Sequence, residues 1–149
     1  MAAPNATSFT GWTALASHPW AYPALEVVHI VGIALLVGNL VLLEVRVWGA
    51  APQLPVQALA RLALLLALGG FGLVALSGLT MFSTQPQELL TNRAFVLKMG
   101  LVALAGLNAA LFHARGGLTK LDALARAQTA LSLGLWLTVI ICGRWIAYR

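Results

Sequence analysis

The chain has 149 residues, of which 60% are hydrophobic and only 9% are charged, whereas an average soluble domain carries about 25% charged residues. A soluble fold cannot cover so much apolar surface, so we expect an integral membrane protein with a single domain over residues 1–149. The formal net charge is +5, but the basic residues are spread singly along the chain. They form neither the basic stripe nor a motif of a nucleic-acid-binding domain, so nucleic acid is not an expected partner.

The first 20 residues contain no Lys or Arg, so they lack the basic region of a secretory signal peptide. We therefore expect the first long helix to remain in the mature protein. Trp12 and Trp20 stand among polar residues in this segment, which is typical of chain at the level of the lipid headgroups. The pattern predicts a short interfacial helix over residues 8–16.

The apolar pattern predicts four membrane-spanning helices, over about residues 22–47, 56–82, 94–114 and 120–148. A helix rises about 1.5 Å per residue, so each of them is long enough to cross most of a bilayer. The connections are a proline-containing loop, a polar stretch over residues 83–93, and the turn Arg115-Gly-Gly117. Short connections make successive spans antiparallel, so the expected fold is an all-α, up-down four-helix bundle.

The basic residues divide almost evenly between the two sides of such a bundle. The uncharged amino-terminal segment decides the orientation that we expect, because Lys and Arg accumulate in cytoplasmic loops. We expect a multi-pass protein of the bacterial inner membrane, with both termini on the outer, periplasmic side. The loops that follow Arg46 and Arg115 then lie in the cytoplasm.

Small residues cluster in the second span, in Gly69-Gly70-Phe71-Gly72 and Ser77-Gly78. Small residues let neighbouring backbones approach closely in lipid, so we expect them at a helix contact. No Lys-Ser or Lys-Thr follows the glycines, which excludes a phosphate-binding loop. Cys142 is the only cysteine, so neither an internal disulfide nor a cysteine metal cluster can form, and a packing role is expected.

His29 and Asn39 are the only strongly polar residues between Val27 and Leu43. An ionisable side chain inside a membrane is costly unless it has a partner, so His29 is the first candidate for a functional site. The residues alone leave three interpretations open: a structural buried histidine, a residue that handles protons or ions, and an axial ligand of a haem iron. No constellation for hydrolytic chemistry accompanies it.

Depth along the helices predicts which side chains can meet His29. Met81, Lys98 and Arg144 should share its layer, roughly 5 Å below the outer surface. Lys98 and Arg144 are placed to neutralise haem propionates, and Met81 is a candidate second iron ligand. The alternatives are that Lys98 extends to the lipid headgroups, that Arg144 anchors the end of its helix, and that Met81 only packs in the bundle. Glu26 lies three residues before His29, where it can orient the second ring nitrogen or pair with Lys98.

His113 should lie at the opposite end of the bundle, about 20 Å from His29 along the membrane normal. One small ligand held by both histidines is therefore not expected. His113 is either a helix-end residue at the interface or a metal ligand of a second, inner site. Several other polar residues are expected to form surface pairs at this inner end: Glu44, Arg46, Arg61, Asn108, Arg126 and Gln128.

Three short segments carry a family resemblance: Leu25–Gly32, Ser77–Phe82 and Phe95–Gly100. Together they resemble an uncharacterised family of small four-helix bacterial membrane proteins. More distantly they resemble the HemJ-type protoporphyrinogen oxidase and the membrane domain of copper-resistance protein D. The resemblance implies a bundle that binds haem b, in which His29 and Lys98 matter most.

We therefore expect a b-type haem protein that transfers electrons, as a subunit of or partner to a larger redox complex, with quinone as a further candidate partner. One alternative is a HemJ-like protoporphyrinogen oxidase, although that family has a basic, aromatic stretch where this chain has Glu44–Gly49. Another is a haem-free accessory or copper-handling subunit, but the chain lacks Met-x-x-Met and His-rich runs. If the chain is an enzyme, we expect an oxidoreductase.

Overall fold

The structure is a computed structural model that describes Ala14 and residues 17–148. The interfacial helix expected over residues 8–16 lies, apart from Ala14, outside the described residues. The described part is all-α, with no strand, and comprises α1 (Ala21–Val47), α2 (Val56–Thr84), α3 (Pro86–Thr91), α4 (Arg93–Ala114), α5 (Gly117–Lys120) and α6 (Ala123–Ile146).

Four of these helices, α1, α2, α4 and α6, are long and apolar enough to cross a membrane. They begin and end close to the residues expected from the sequence, and the expected all-α four-helix membrane bundle is confirmed. Most of their large apolar side chains are exposed on the outside of the bundle. That distribution suits a lipid solvent, in which apolar surface needs no cover.

The connections are more helical than the sequence predicts. The polar stretch over residues 83–93 was expected to be a loop, but α2 continues to Thr84 and the six residues of α3 follow. Pro86 opens α3, where its fixed φ suits the first helical position. Asn92 then caps α4 by accepting a hydrogen bond from the backbone nitrogen of Ala94 at 2.9 Å.

The last membrane-spanning helix, α6, begins later than expected because of the turn that precedes it. Gly116 takes a left-handed φ of +71° and ends α4, as the Arg-Gly-Gly sequence predicts. The short helix α5 follows at once. Asp122 accepts a hydrogen bond from the backbone nitrogen of Ala125 at 2.8 Å, so α6 begins at Ala123 and not near Lys120.

The bundle consists of two antiparallel pairs. Helix α1 packs along α2, helix α4 packs along α6, and the two pairs meet mainly through α1 and α6. A hydrogen bond from Trp48 Nε1 to Thr129 Oγ1, 2.8 Å long, ties the end of α1 to α6. Stacked rings of Phe82 and Phe95, with centroids 5.6 Å apart, tie the end of α2 to α4.

The contact between α1 and α2 depends on Gly32 and Gly70. A Cβ on Gly70 would lie 2.6 Å from Leu36 N and 2.7 Å from Gly32 O, and a Cβ on Gly32 would lie 2.8 Å from Gly70 O. These neighbours are backbone atoms, which cannot move aside without separating the helices. Ala63 and Ala67, which are also on α2, are buried. Close packing of small residues therefore holds this pair together, as is common in membranes.

We expect Gly70→Ala to force α1 and α2 apart and to lower the free energy of unfolding by about 1–3 kcal/mol. Unfolding of the full chain in mixed detergent micelles measures the effect. Gly69→Ala is the matched control, because a Cβ on Gly69 meets nothing within 4 Å. Equal stability of the two variants would show that the backbone contact is not what holds the pair.

Candidate functional site around His29

His29 lies on α1, about 12 Å along the helix from its start at Ala21. The imidazole is half-buried, and its Nδ1 lies 2.9 Å from Ser77 Oγ on α2. Ser77 itself is only 2% exposed. The histidine therefore has a fixed polar partner inside the membrane-spanning part of the bundle.

The hydrogen bonds of Ser77 determine which ring nitrogen carries the proton. Its Oγ donates to the Leu73 carbonyl at 2.6 Å, with a longer contact of 3.3 Å to the Val74 carbonyl. A hydroxyl has one proton to donate, so we assign the remaining bond as Nδ1–H of His29 donating to Ser77 Oγ. In a neutral imidazole this leaves the Nε2 lone pair for a metal or a proton.

Gly78 lets the imidazole lie against α2. A Cβ built on Gly78 would lie 3.4 Å from His29 Cε1, so a side chain larger than that of Ala would press on the ring. The sequence identified the Ser77-Gly78 pair only as small residues for helix packing. The hydrogen bond between His29 and Ser77 could have been predicted from the depth of the two residues along antiparallel helices. His29 is the ninth residue of α1, and Ser77 is the eighth from the end of α2.

Lys98 approaches the same region from α4. Its half-buried side chain lies against α6, where a Cβ on Gly143 would be 3.5 Å from Lys98 Nζ. Cys142, which is buried as expected, lies close to the same amine. Lys98 is also close enough to His29 for the two side chains to interact electrostatically. His29 and Ser77 are therefore in direct contact, whereas Lys98 packs against α6 and acts on His29 only through its charge.

The structure describes the other three candidate residues, Met81, Arg144 and Glu26, and shows no hydrogen bond from them to His29. Met81 is half-buried and lies four residues beyond Ser77, on the same face of α2. Arg144 is exposed, donates to Tyr148 Oη at 2.7 Å and lies 4.9 Å from the centre of that ring. Glu26 is also exposed. The contacts described for Arg144 form an interfacial anchor, and the cofactor roles of all three side chains stay predictions.

His113 lies near the end of α4, exposed, with its ring edge-on to Phe112 at a centroid distance of 5.2 Å. The described residues hold no group of three or more His, Cys, Asp and Glu side chains that could bind a metal ion. A second, inner metal site at His113 stays a prediction.

The end of the bundle opposite His29 differs from one expectation. Glu44 and Asn108 were expected to form surface pairs, but they are only 3% and 9% exposed. Asn108 Nδ2 donates to the backbone oxygen of Gln128 on α6 at 2.9 Å. Hydropathy shows how deep a residue lies along a helix but not which way it faces, so these two residues could not be assigned to the interior.

No family model, curated protein or solved structure matches this chain. The resemblance carried by the segments around His29, Ser77 and Lys98 therefore stays a prediction.

We expect Ser77→Ala to remove the hydrogen bond that fixes the His29 tautomer. Nitrogen NMR of the imidazole should show Nδ1 protonated in the wild type and a mixture of tautomers in the variant. The lost bond should also cost about 0.5–1.5 kcal/mol of stability. Thr80→Val is the control, because the Thr80 hydroxyl bonds the Leu76 carbonyl in the same way. A wild-type ring protonated at Nε2 would contradict the assignment.

Proposed function

We propose that this chain is an integral membrane b-type haem protein that transfers electrons, in which His29 Nε2 would bind the iron. The observation that supports the proposal most directly is the bond from His29 Nδ1–H to Ser77 Oγ. Histidines that bind metals commonly donate their other ring proton to a neighbouring acceptor, which fixes the tautomer and the ring orientation.

The residues present fit this cofactor. A neutral imidazole suits iron, and Lys98 of α4 supplies a positive charge at electrostatic range from His29. When bound, a haem supplies reversible one-electron chemistry, whose potential depends on the axial ligands and on nearby charge.

The chain's own residues have distinct tasks in this proposal. Ser77 orients the His29 ring, and Gly78 leaves room for that ring against α2. Lys98 neutralises a propionate, and Met81 is the proposed second ligand. Arg144 can serve a second propionate only by giving up its hydrogen bond to Tyr148. Glu26 is proposed as an outer partner of Lys98.

We place the protein in the bacterial inner membrane with both termini on the periplasmic side. The uncharged amino-terminal segment supports that orientation. His29 then lies in the outer half of the bilayer, near redox partners on the periplasmic side. A partner subunit and membrane quinone are the proposed electron donor and acceptor.

Protein purified in detergent from haem-replete cells should show a Soret band, and reduction should shift it. We expect His29→Ala to abolish the band, because the variant lacks the ligand nitrogen, while His113→Ala keeps it. Absorption spectra of oxidised and reduced samples measure both results. Colourless wild-type protein, or a Soret band that persists in His29→Ala, would reject the proposal.

Lys98→Gln should lower the midpoint potential of the bound haem, because a nearby positive charge favours the reduced state. The expected shift is on the order of tens of millivolts, since a unit charge about 10 Å away contributes on the order of 1–2 kcal/mol at an effective dielectric constant of about 20. Redox titration measures it. Lys120→Gln is the control, because Lys120 is exposed on α5 and is the only other lysine. Equal potentials in both variants would argue against Lys98 as a propionate partner.

A further inference from the structure

A second polar cluster lies at the inner end of the bundle, and the electron-transfer proposal does not use it. We call it the inner polar layer, and it consists of Glu44, Trp48, Asn108, Gln128, Thr129 and Ser132. These residues come from α1 and its C-cap Trp48, from α4 and from α6, so the layer lies where the two helix pairs meet. It is separated from His29 by 15 residues of α1, or about 22 Å.

Hydrogen bonds define how the layer is assembled. Trp48 Nε1 donates to Thr129 Oγ1, and Thr129 Oγ1 approaches the Arg126 carbonyl at 2.9 Å. One turn further along α6, Ser132 lies beside the Glu44 carboxyl group. Gln128 precedes Ser132 by four residues, which puts both side chains on the face of α6 that meets α1.

Two acceptor oxygens in the layer are unsatisfied. Glu44 Oε2 and Gln128 Oε1 are both buried, and neither has a hydrogen-bond partner among the described residues. Glu44 is only 3% exposed. Buried polar atoms are nearly always hydrogen-bonded, so both oxygens indicate that a positively polarised group completes the layer.

No cation of the described part neutralises Glu44. Arg46 donates to the carbonyls of Leu54 and Pro52, and Arg115 pairs with Asp122 at 2.7 Å. The other titratable or charged side chains at this end are exposed: Arg61, His113, Lys120 and Arg126. An unpaired carboxylate in such a place is expensive, and the group avoids the cost by becoming neutral.

A protonated carboxyl group has one O–H donor. The same proton therefore removes the charge of Glu44 and supplies the donor that the layer lacks. We infer that the inner polar layer is a proton-binding site, in which Glu44 carries a proton on Oε2 and offers it to Gln128 Oε1. Release breaks the O–H bond, leaves Glu44 as a carboxylate and passes the proton to a water molecule.

Infrared spectroscopy of the full chain in lipid nanodiscs at neutral pH tests the inference. The chain has four acidic side chains, and Glu26, Glu88 and Asp122 are exposed. A protonated carboxylic C=O band is therefore expected from Glu44 alone. Glu44→Gln should remove the band and still fold, because Gln resembles the neutral acid in shape and charge. Glu26→Gln, at the other end of the same helix, should keep it.

Gln128→Ala gives a second readout that does not depend on the Glu44 variant. Loss of the acceptor should move the C=O band to higher frequency, as for a weaker hydrogen bond. The band should also persist in His29→Ala, since the layer is independent of the haem proposal. Absence of the band in the wild type, or its survival in Glu44→Gln, would overturn the inference. So would a wild-type melting temperature that rises in NaCl relative to choline chloride, which would indicate a bound sodium ion.

Discussion

The backbone contact between Gly32 and Gly70 is the constraint on which the half of the bundle that contains His29 depends. It fixes how far α1 and α2 can approach and which residues face each other across the pair. His29 lies one turn from Gly32, and Ser77 lies two turns from Gly70, both toward the same end of the bundle. The bond between them is possible because no side chain separates the two backbones. The candidate site is therefore a consequence of helix packing.

In lipid, apolar side chains gain little by contacting each other, so polar contacts and close backbone packing decide how helices associate. Helix α1 has both kinds of contact. It meets α2 through the glycines and His29, and it meets α6 through Trp48 and the layer around Glu44. Because α1 belongs to both contacts, it makes most of the contact between the two antiparallel pairs.

Much of the fold could be predicted from the sequence. Long apolar runs bounded by Pro, Gly and charged residues define the spans. The small residues of α2 predicted a close helix contact, which is confirmed for Gly70, Ser77 and Gly78. It is wrong for Gly69 and Gly72, where a Cβ would meet nothing within 4 Å. The rotation of each helix about its axis could not be predicted. Spans that are apolar on nearly every side carry no strong amphipathic pattern to reveal the inward face.

Glu26 and Glu44 illustrate the difference. Both lie near an end of α1, and hydropathy treats them alike, yet Glu26 is exposed and Glu44 is buried. For the same reason the sequence did not identify Ser77 as the partner of His29. The two residues lie at the same depth, but the side chain of Ser77 faces the ring only because of the Gly32–Gly70 contact. Burial thus distinguishes residues that the sequence makes equivalent, and it gives the two ends of α1 different chemistry. His29 presents a ring nitrogen with a free lone pair and contacts α2. Glu44 presents an oxygen that needs a proton and contacts α6. A change at one end therefore need not disturb the other.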